Sequence, residues 1–191
     1  MKKYAFITML AVSPFLFSFS KFDGGKREER TTTVSADTFP VPGNVPGLLF
    51  YIQRDPNTNT ICYEINTDKQ GKVQSSSPVN VFWIRYPEGG MRKDLNYFQR
   101  KFAYGINSKY VGNGNFELRS VAYNKLPLYL RKDNDDKYRV YAAIDKKECV
   151  LSRVFIRIDG GTFWSPNVIY IELRGKEVST GKTIVQRIKP S

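Results

Sequence analysis

Cations and aromatic rings interleave along one stretch of this sequence. Between Tyr97 and Tyr141 it carries Phe98, Arg100, Lys101, Phe102, Tyr104, Lys109, Tyr110, Arg119, Tyr123, Lys125, Tyr129, Arg131, Lys132 and Arg139. Such a run could track a polyanion, rings stacking and cations meeting phosphate, or hold an anionic headgroup or an acidic protein face by charge. In a β-rich chain the same composition also arises when rings fill the core and cations coat the solvent face. A second feature is the loop Asp159-Gly160-Gly161-Thr162-Phe163-Trp164-Ser165-Pro166-Asn167. Its glycines free the backbone just before an adjacent Phe163-Trp164 pair. Rings beside polar groups at a strand end are a common way to hold a sugar or a flat apolar ligand. A plug that closes the core is the alternative. Trp83 and Tyr86, in another apolar strand, extend this candidate rim, with Arg85, Arg100 and Lys101 as its nearest cations.

What is missing narrows the chemistry further. The 191 residues include no histidine. Ser-His-Asp and Cys-His nucleophile pairs and an HExxH zinc site are therefore excluded. Two cysteines are too few for a four-cysteine zinc site or an iron–sulfur cluster. Glu64, Glu88, Glu117 and Glu172 stand on strand ends, but their spacing pairs no two of them as glycoside hydrolysis would require. Asp133-Asn134-Asp135-Asp136 offers hard oxygens, yet lacks the glycine and the distant glutamate of a calcium loop, and reads as a solvated hairpin tip. The expectation is a protein that is not an enzyme and carries no cofactor and no metal.

The elements that must position these groups are strands. Leu48, Phe50 and Ile52 alternate with Leu49, Tyr51 and Gln53. Ile61, Tyr63 and Ile65 share a face against Cys62 and Glu64, and Val79–Tyr86 is apolar on both faces. Tyr138–Ile144, Val154–Ile158, Ile169–Leu173 and Ile184–Ile188 continue the period of two, with weaker runs near Phe116–Tyr123 and Leu128–Arg131. Gly112-Asn113-Gly114, the Asp133–Asp136 tip and Asp159-Gly160-Gly161 supply turns. One stretch reads as helix, capped by Asp94, with Leu95, Phe98 and Phe102 on one face and Gly105 after its end. The predicted fold is all-β, mainly an antiparallel meander, barrel-like or sandwich, with one short α-helix.

The N-terminus reads as an address. Lys2 and Lys3 precede the apolar run Tyr4–Phe17, and Ser18-Phe19-Ser20 suits signal peptidase. The run is shorter than the roughly 20 residues of a membrane span. Residues 1–20 are therefore expected to be a signal peptide and residues 21–47, with their charges, threonines and prolines, a flexible arm. A single antiparallel β-domain then occupies residues 48–191. Export to the periplasm or beyond would permit a bridge between Cys62 and Cys149, and two free buried thiols are the other reading. The chain carries a net charge of +12. Export argues against nucleic acid as its partner and favours an anionic or amphipathic envelope component, lipid or glycan. A scaffold binding an acidic protein partner through the basic face is the alternative, and a carboxylate-dependent hydrolase a more distant one.

Val79-Asn80-Val81-Phe82-Trp83-Ile84-Arg85-Tyr86, Leu95-Asn96-Tyr97-Phe98-Gln99-Arg100-Lys101-Phe102-Ala103-Tyr104-Gly105, the Asp159–Trp164 loop and Thr180-Gly181-Lys182 carry a resemblance. Over Phe39 to Pro190 the chain resembles a family of roughly 190-residue exported proteins of Bacteroides-type bacteria, a domain of unknown function. The resemblance implies an envelope address and brings no catalytic residue with it.

Overall fold

Strand β1 (Leu48–Asp55) turns through a cis Asp55–Pro56 peptide into β2 (Asn57–Ile65), and β3 (Val79–Arg85) and the short β4 (Met91–Asp94) add to the same side. A computed structural model describes residues 38–162 and 165–189 of the chain. The expected signal peptide and residues 21–37 of the expected arm lie outside the described residues. After β4 comes α1, which opens as one α-turn, Tyr97–Gln99, and continues as a π-turn, Arg100–Tyr104. Then follow β5 (Ile106–Gly112), β6 (Asn115–Ser120), β7 (Leu128–Lys132), β8 (Tyr138–Ile144), β9 (Lys147–Gly161), β10 (Pro166–Glu177) and β11 (Thr183–Ile188). The fold is mostly β with one short helix, in a curled, open half-barrel sheet.

The architecture turns on β9, the longest strand. One edge of β9 pairs with β10 from Cys149 to Gly161. Its other edge serves two partners in succession, β8 from Lys147 to Val150 and β1 from Arg153 to Arg157. The sheet therefore forks. One arm runs β1-β2-β3-β4 and the other β8-β7-β6-β5, and their inner faces share one core. Phe50, Ile61, Tyr63, Val81 and Trp83 come from the first arm, and Phe116, Leu118, Leu130, Val140 and Ala142 from the second. Each such side chain contributes on the order of 1.5–3 kcal/mol when fully buried. The β1–β9 pairing is parallel. The predicted meander is thus broken between β4 and β5, which end the two arms and do not pair, and the first strand returns beside the ninth.

Two strands lack the sequence pattern expected of them. All four residues of β4 are exposed, and β5 is exposed along most of its length, so neither displays a buried face to alternate. β3 is apolar on both faces, but not because it is central. Its outer residues Phe82 and Ile84 lie with Cys62 under Val45, Leu48, Tyr51 and Tyr86, and the Arg92 guanidinium stands 3.5 Å over the Phe82 ring. The chain ahead of β1 joins this outer layer. Phe39 packs edge-on against Phe155 at 5.3 Å, and Gln53 donates to the Pro40 carbonyl at 2.6 Å. From Phe39 onward the segment that reads as an arm is therefore packed on the sheet.

A candidate apolar cavity with one guanidinium

The shared core does not fill the space between the arms at one end. A cavity of about 680 Å³ remains there, within the usual range for small-molecule sites. Its floor is the inner face of β1, where Phe50, Ile52 and Arg54 follow one another at a period of two. Val154, Ile156 and Ile158 of β9, with Val168, Ile171 and Leu173 of β10 and Ile188 of β11, form one wall. Ser120 to Tyr123, Leu126 and Leu128, along and after β6, form another. The helix closes the remaining side through Phe98, Phe102, Ala103 and Tyr104.

Local sequence sets this helix in place. Asn96 caps it, accepting from the Gln99 backbone N–H at 2.8 Å, while the Gln99 side chain accepts from the Asn96 N–H at 3.1 Å. This reciprocal capping box starts the helix two residues after the expected Asp94, which belongs to β4 instead. The same Gln99 oxygen faces the Trp83 indole N–H at 3.4 Å. Tyr63, wholly buried and stacked on Phe50 at 4.3 Å, donates its hydroxyl to the Tyr104 carbonyl at 2.9 Å. Core strands thus grip both ends of the helix. Gly105 lets the chain leave it, because a Cβ there would stand 2.0 Å from the Arg100 carbonyl oxygen.

Among the described residues, Arg54 is the one charged residue of the lining. Its guanidinium carbon lies 5.5 Å from the Trp83 ring centre and 5.4 Å from that of Tyr104, and those rings meet edge-on at 5.1 Å. Two ring faces orient the cation. Among the described residues no carboxylate pairs with it, and its Nε has no hydrogen-bond partner. Burial raises the Tyr104 phenol above its ordinary pKa, with the Arg54 charge opposing, so the hydroxyl beside the cation stays neutral.

Other arginines are engaged. Glu64 is held by Arg92, Glu88 by Arg85, Glu117 by Arg119 at 2.7 Å and Glu172 by Arg187 at 2.8 Å. Each carboxylate considered for acid–base work therefore faces a guanidinium. Arg157 meets the buried Asp55. At the tip between β7 and β8, Arg139 binds both Asp133 and Asp135, and the Tyr141 hydroxyl donates to Asp133. The Asp133 and Asp135 oxygens of this tip are thus taken up by Arg139, which holds the Asp135 carboxyl well below the usual range, and Asp136 pairs with Lys132 at 2.7 Å.

Of the residues expected to form the rim, the described ones separate. Trp83 is buried beneath Arg54 and supports the cavity's charged end. Tyr86 lies three residues on, and its ring joins the outer cluster with Cys62, Phe82 and Ile84, on the far side of the sheet. Arg85 is paired with Glu88 at the end of β3. Arg100 and Lys101 are on the exposed side of the helix and do not line the cavity. Phe163 and Trp164 lie outside the described residues, between Ile158 and Pro166, which do line it. Arg54 itself was missed, although a cation in phase with Phe50 and Ile52 is a legible signal.

The bridge considered for Cys62 and Cys149 is not made. Both thiols are free and buried, Cys62 in the outer cluster and Cys149 in the inner core. Opposite sides of the sheet keep them apart.

No helix among the described residues is long and apolar enough to cross a membrane. No curated protein and no solved structure matches the chain. Residues 50–187, which run from the cavity floor at Phe50 to β11, do match the sequence profile of one family, and by that match the chain belongs to the family described as a domain of unknown function (DUF4833).

Proposed function

We propose that this domain is a binding module for an amphipathic anion, its acidic headgroup at Arg54 and its apolar chain in the cavity. The observation that carries this reading is, among the described residues, a single guanidinium with no partner carboxylate, set in walls that are otherwise almost wholly apolar. Arg54 is half-buried, and its Nε is out of water with no hydrogen-bond partner, which is costly unless something compensates it; two ring faces do so only in part. An incoming carboxylate or phosphate would complete the pairing. The walls favour lipid over glycan, because a sugar's hydroxyls would find few partners among Ile156, Val168, Ile171 and Leu173. Exported, as its leader reads, the protein would meet such molecules in the cell envelope.

The test is calorimetry with a medium-chain fatty acid and its matching alcohol. The acid is expected to bind about 10- to 100-fold more tightly, the value of a charge-assisted hydrogen bond. Arg54→Met should abolish that preference while the alcohol binds as before. Equal affinity of acid and alcohol for the parent protein, or a preference that survives Arg54→Met, would overturn the assignment.

A further inference from the structure

The helix that closes the cavity turns an aromatic face to solvent. Tyr97, Phe98 and Phe102 are 65%, 57% and 52% exposed. They form a continuous patch, with Tyr97 edge-on to Phe98 at 5.6 Å and Phe98 stacked near Phe102 at 6.3 Å. Exposed aromatic rings in a group are costly to leave in water and mark an interaction surface. Core packing does not explain them, since the helix is already held by Leu95, Gln99 and Tyr104. Phe98 and Phe102 also line the cavity, so the patch is continuous with its mouth.

Charge indicates what covers it. Lys101 stands among the rings, its ammonium 5.4 Å from the Tyr97 ring and 5.3 Å from the Phe102 ring, and donates to the Tyr97 hydroxyl at 3.1 Å. Arg100 is exposed beside it. Residues 95–116 hold Arg100, Lys101 and Lys109 and no Asp or Glu. A short helix with aromatic rings and cations on its outer side has the composition of a segment that lies in a membrane interface, rings at headgroup depth and cations against lipid phosphates.

We propose that α1 docks this domain onto an anionic phospholipid surface, with Tyr97, Phe98 and Phe102 entering the interface and Arg100 and Lys101 meeting the phosphates. In this pose the cavity mouth faces the bilayer, and an amphipathic ligand can pass between the two without crossing water. The orientation of the mouth rests on the ligand reading above; the docking does not.

Co-sedimentation with vesicles of phosphatidylglycerol and phosphatidylcholine, compared with pure phosphatidylcholine, tests the docking. The protein should partition at least about tenfold more to the anionic vesicles, as expected for two basic residues at the surface, and added salt should reduce that partitioning. Tyr97→Ser/Lys101→Glu replaces no cavity-lining residue. It should lower partitioning by about tenfold or more and leave fatty-acid binding in vesicle-free solution unchanged. Phe98→Ser/Phe102→Ser should lower partitioning as well, with circular dichroism confirming that both variants fold. Equal partitioning of parent and folded variants would overturn the proposal. So would a patch that instead drives self-association, seen as a parent oligomer that the variants convert to monomer without a change in vesicle binding. Vesicle docking that persists when the fatty acid fails to bind would overturn the ligand reading alone.

Discussion

Arg54 and Cys62 stand on adjacent strands and face opposite sides of the sheet, and burial acts on them differently. The guanidinium is met by the rings of Trp83 and Tyr104 rather than by a carboxylate. The thiol can remain neutral. Burial pushes Cys62 up to about 12, the nearby Glu64 carboxylate adds to the rise and Arg92 opposes it. The folded chain therefore keeps a proton that the unfolded chain releases above 9.0. The stabilisation from this thiol is complete below that pH and is lost as pH rises toward 12. Burial raises Cys149 in the same sense. Both thiols should be silent to a thiol-reactive dye at pH 8 in the native protein, and both should react on addition of guanidinium chloride. Labelling of Cys62 at a rate independent of denaturant would show that the outer cluster does not exclude solvent.

The helix and the strands around it show how an element with little regular structure can be well placed. α1 has a single α-turn before the π-turn, too short to be stable by itself. Its position comes from the Asn96–Gln99 capping box, the Tyr63 hydroxyl and the close approach at Gly105. Gly105→Ala should force the Arg100 carbonyl away and shift Phe102 and Tyr104 with it. The expected cost is about 1–3 kcal/mol of stability, as for other overpacked sites, together with weaker fatty-acid binding. Thermal melts and calorimetry would read the two effects, and a variant that melts with the parent would show that the π-turn carries no constraint. The capping residues are visible in the sequence, but Asp94 offered an equally good cap, and only its place in β4 excludes it. β4 and β5 could not be found from alternation, because almost every side chain along them is exposed.

Across the whole molecule, β9 holds the two arms, and the chain ahead of β1 seals the outer face. Phe39 lies outside the span matched by the family profile and is nevertheless buried against Phe155. Phe39→Ala should cost about 3 kcal/mol, toward the lower end for a buried phenylalanine. In urea it should lower the unfolding midpoint with little change in slope, since the surface exposed on unfolding hardly alters. An unchanged midpoint would mean that the lead-in rests on the sheet without stabilising it.

Alternation along Ile61–Ile65 and Val154–Ile158 determined that these runs are strands and which residues of each share a face. Cys62 and Phe155 are buried on the other face as well, and in β1 a register break sends Leu48 to the outer cluster and Leu49 to the core. Alternation is informative because successive side chains of an extended backbone point to opposite faces, a property of the local chain. Composition excluded histidine chemistry, and the same local rule could have set Trp83 apart from Tyr86. Only the tertiary structure decided that β1 returns parallel to β9, that the fork leaves a cavity, and that Arg54, Trp83 and Tyr104 meet at its charged end. Those outcomes depend on which distant strand edges pair, on contacts between residues about a hundred positions apart, and no periodicity within a single strand encodes that choice.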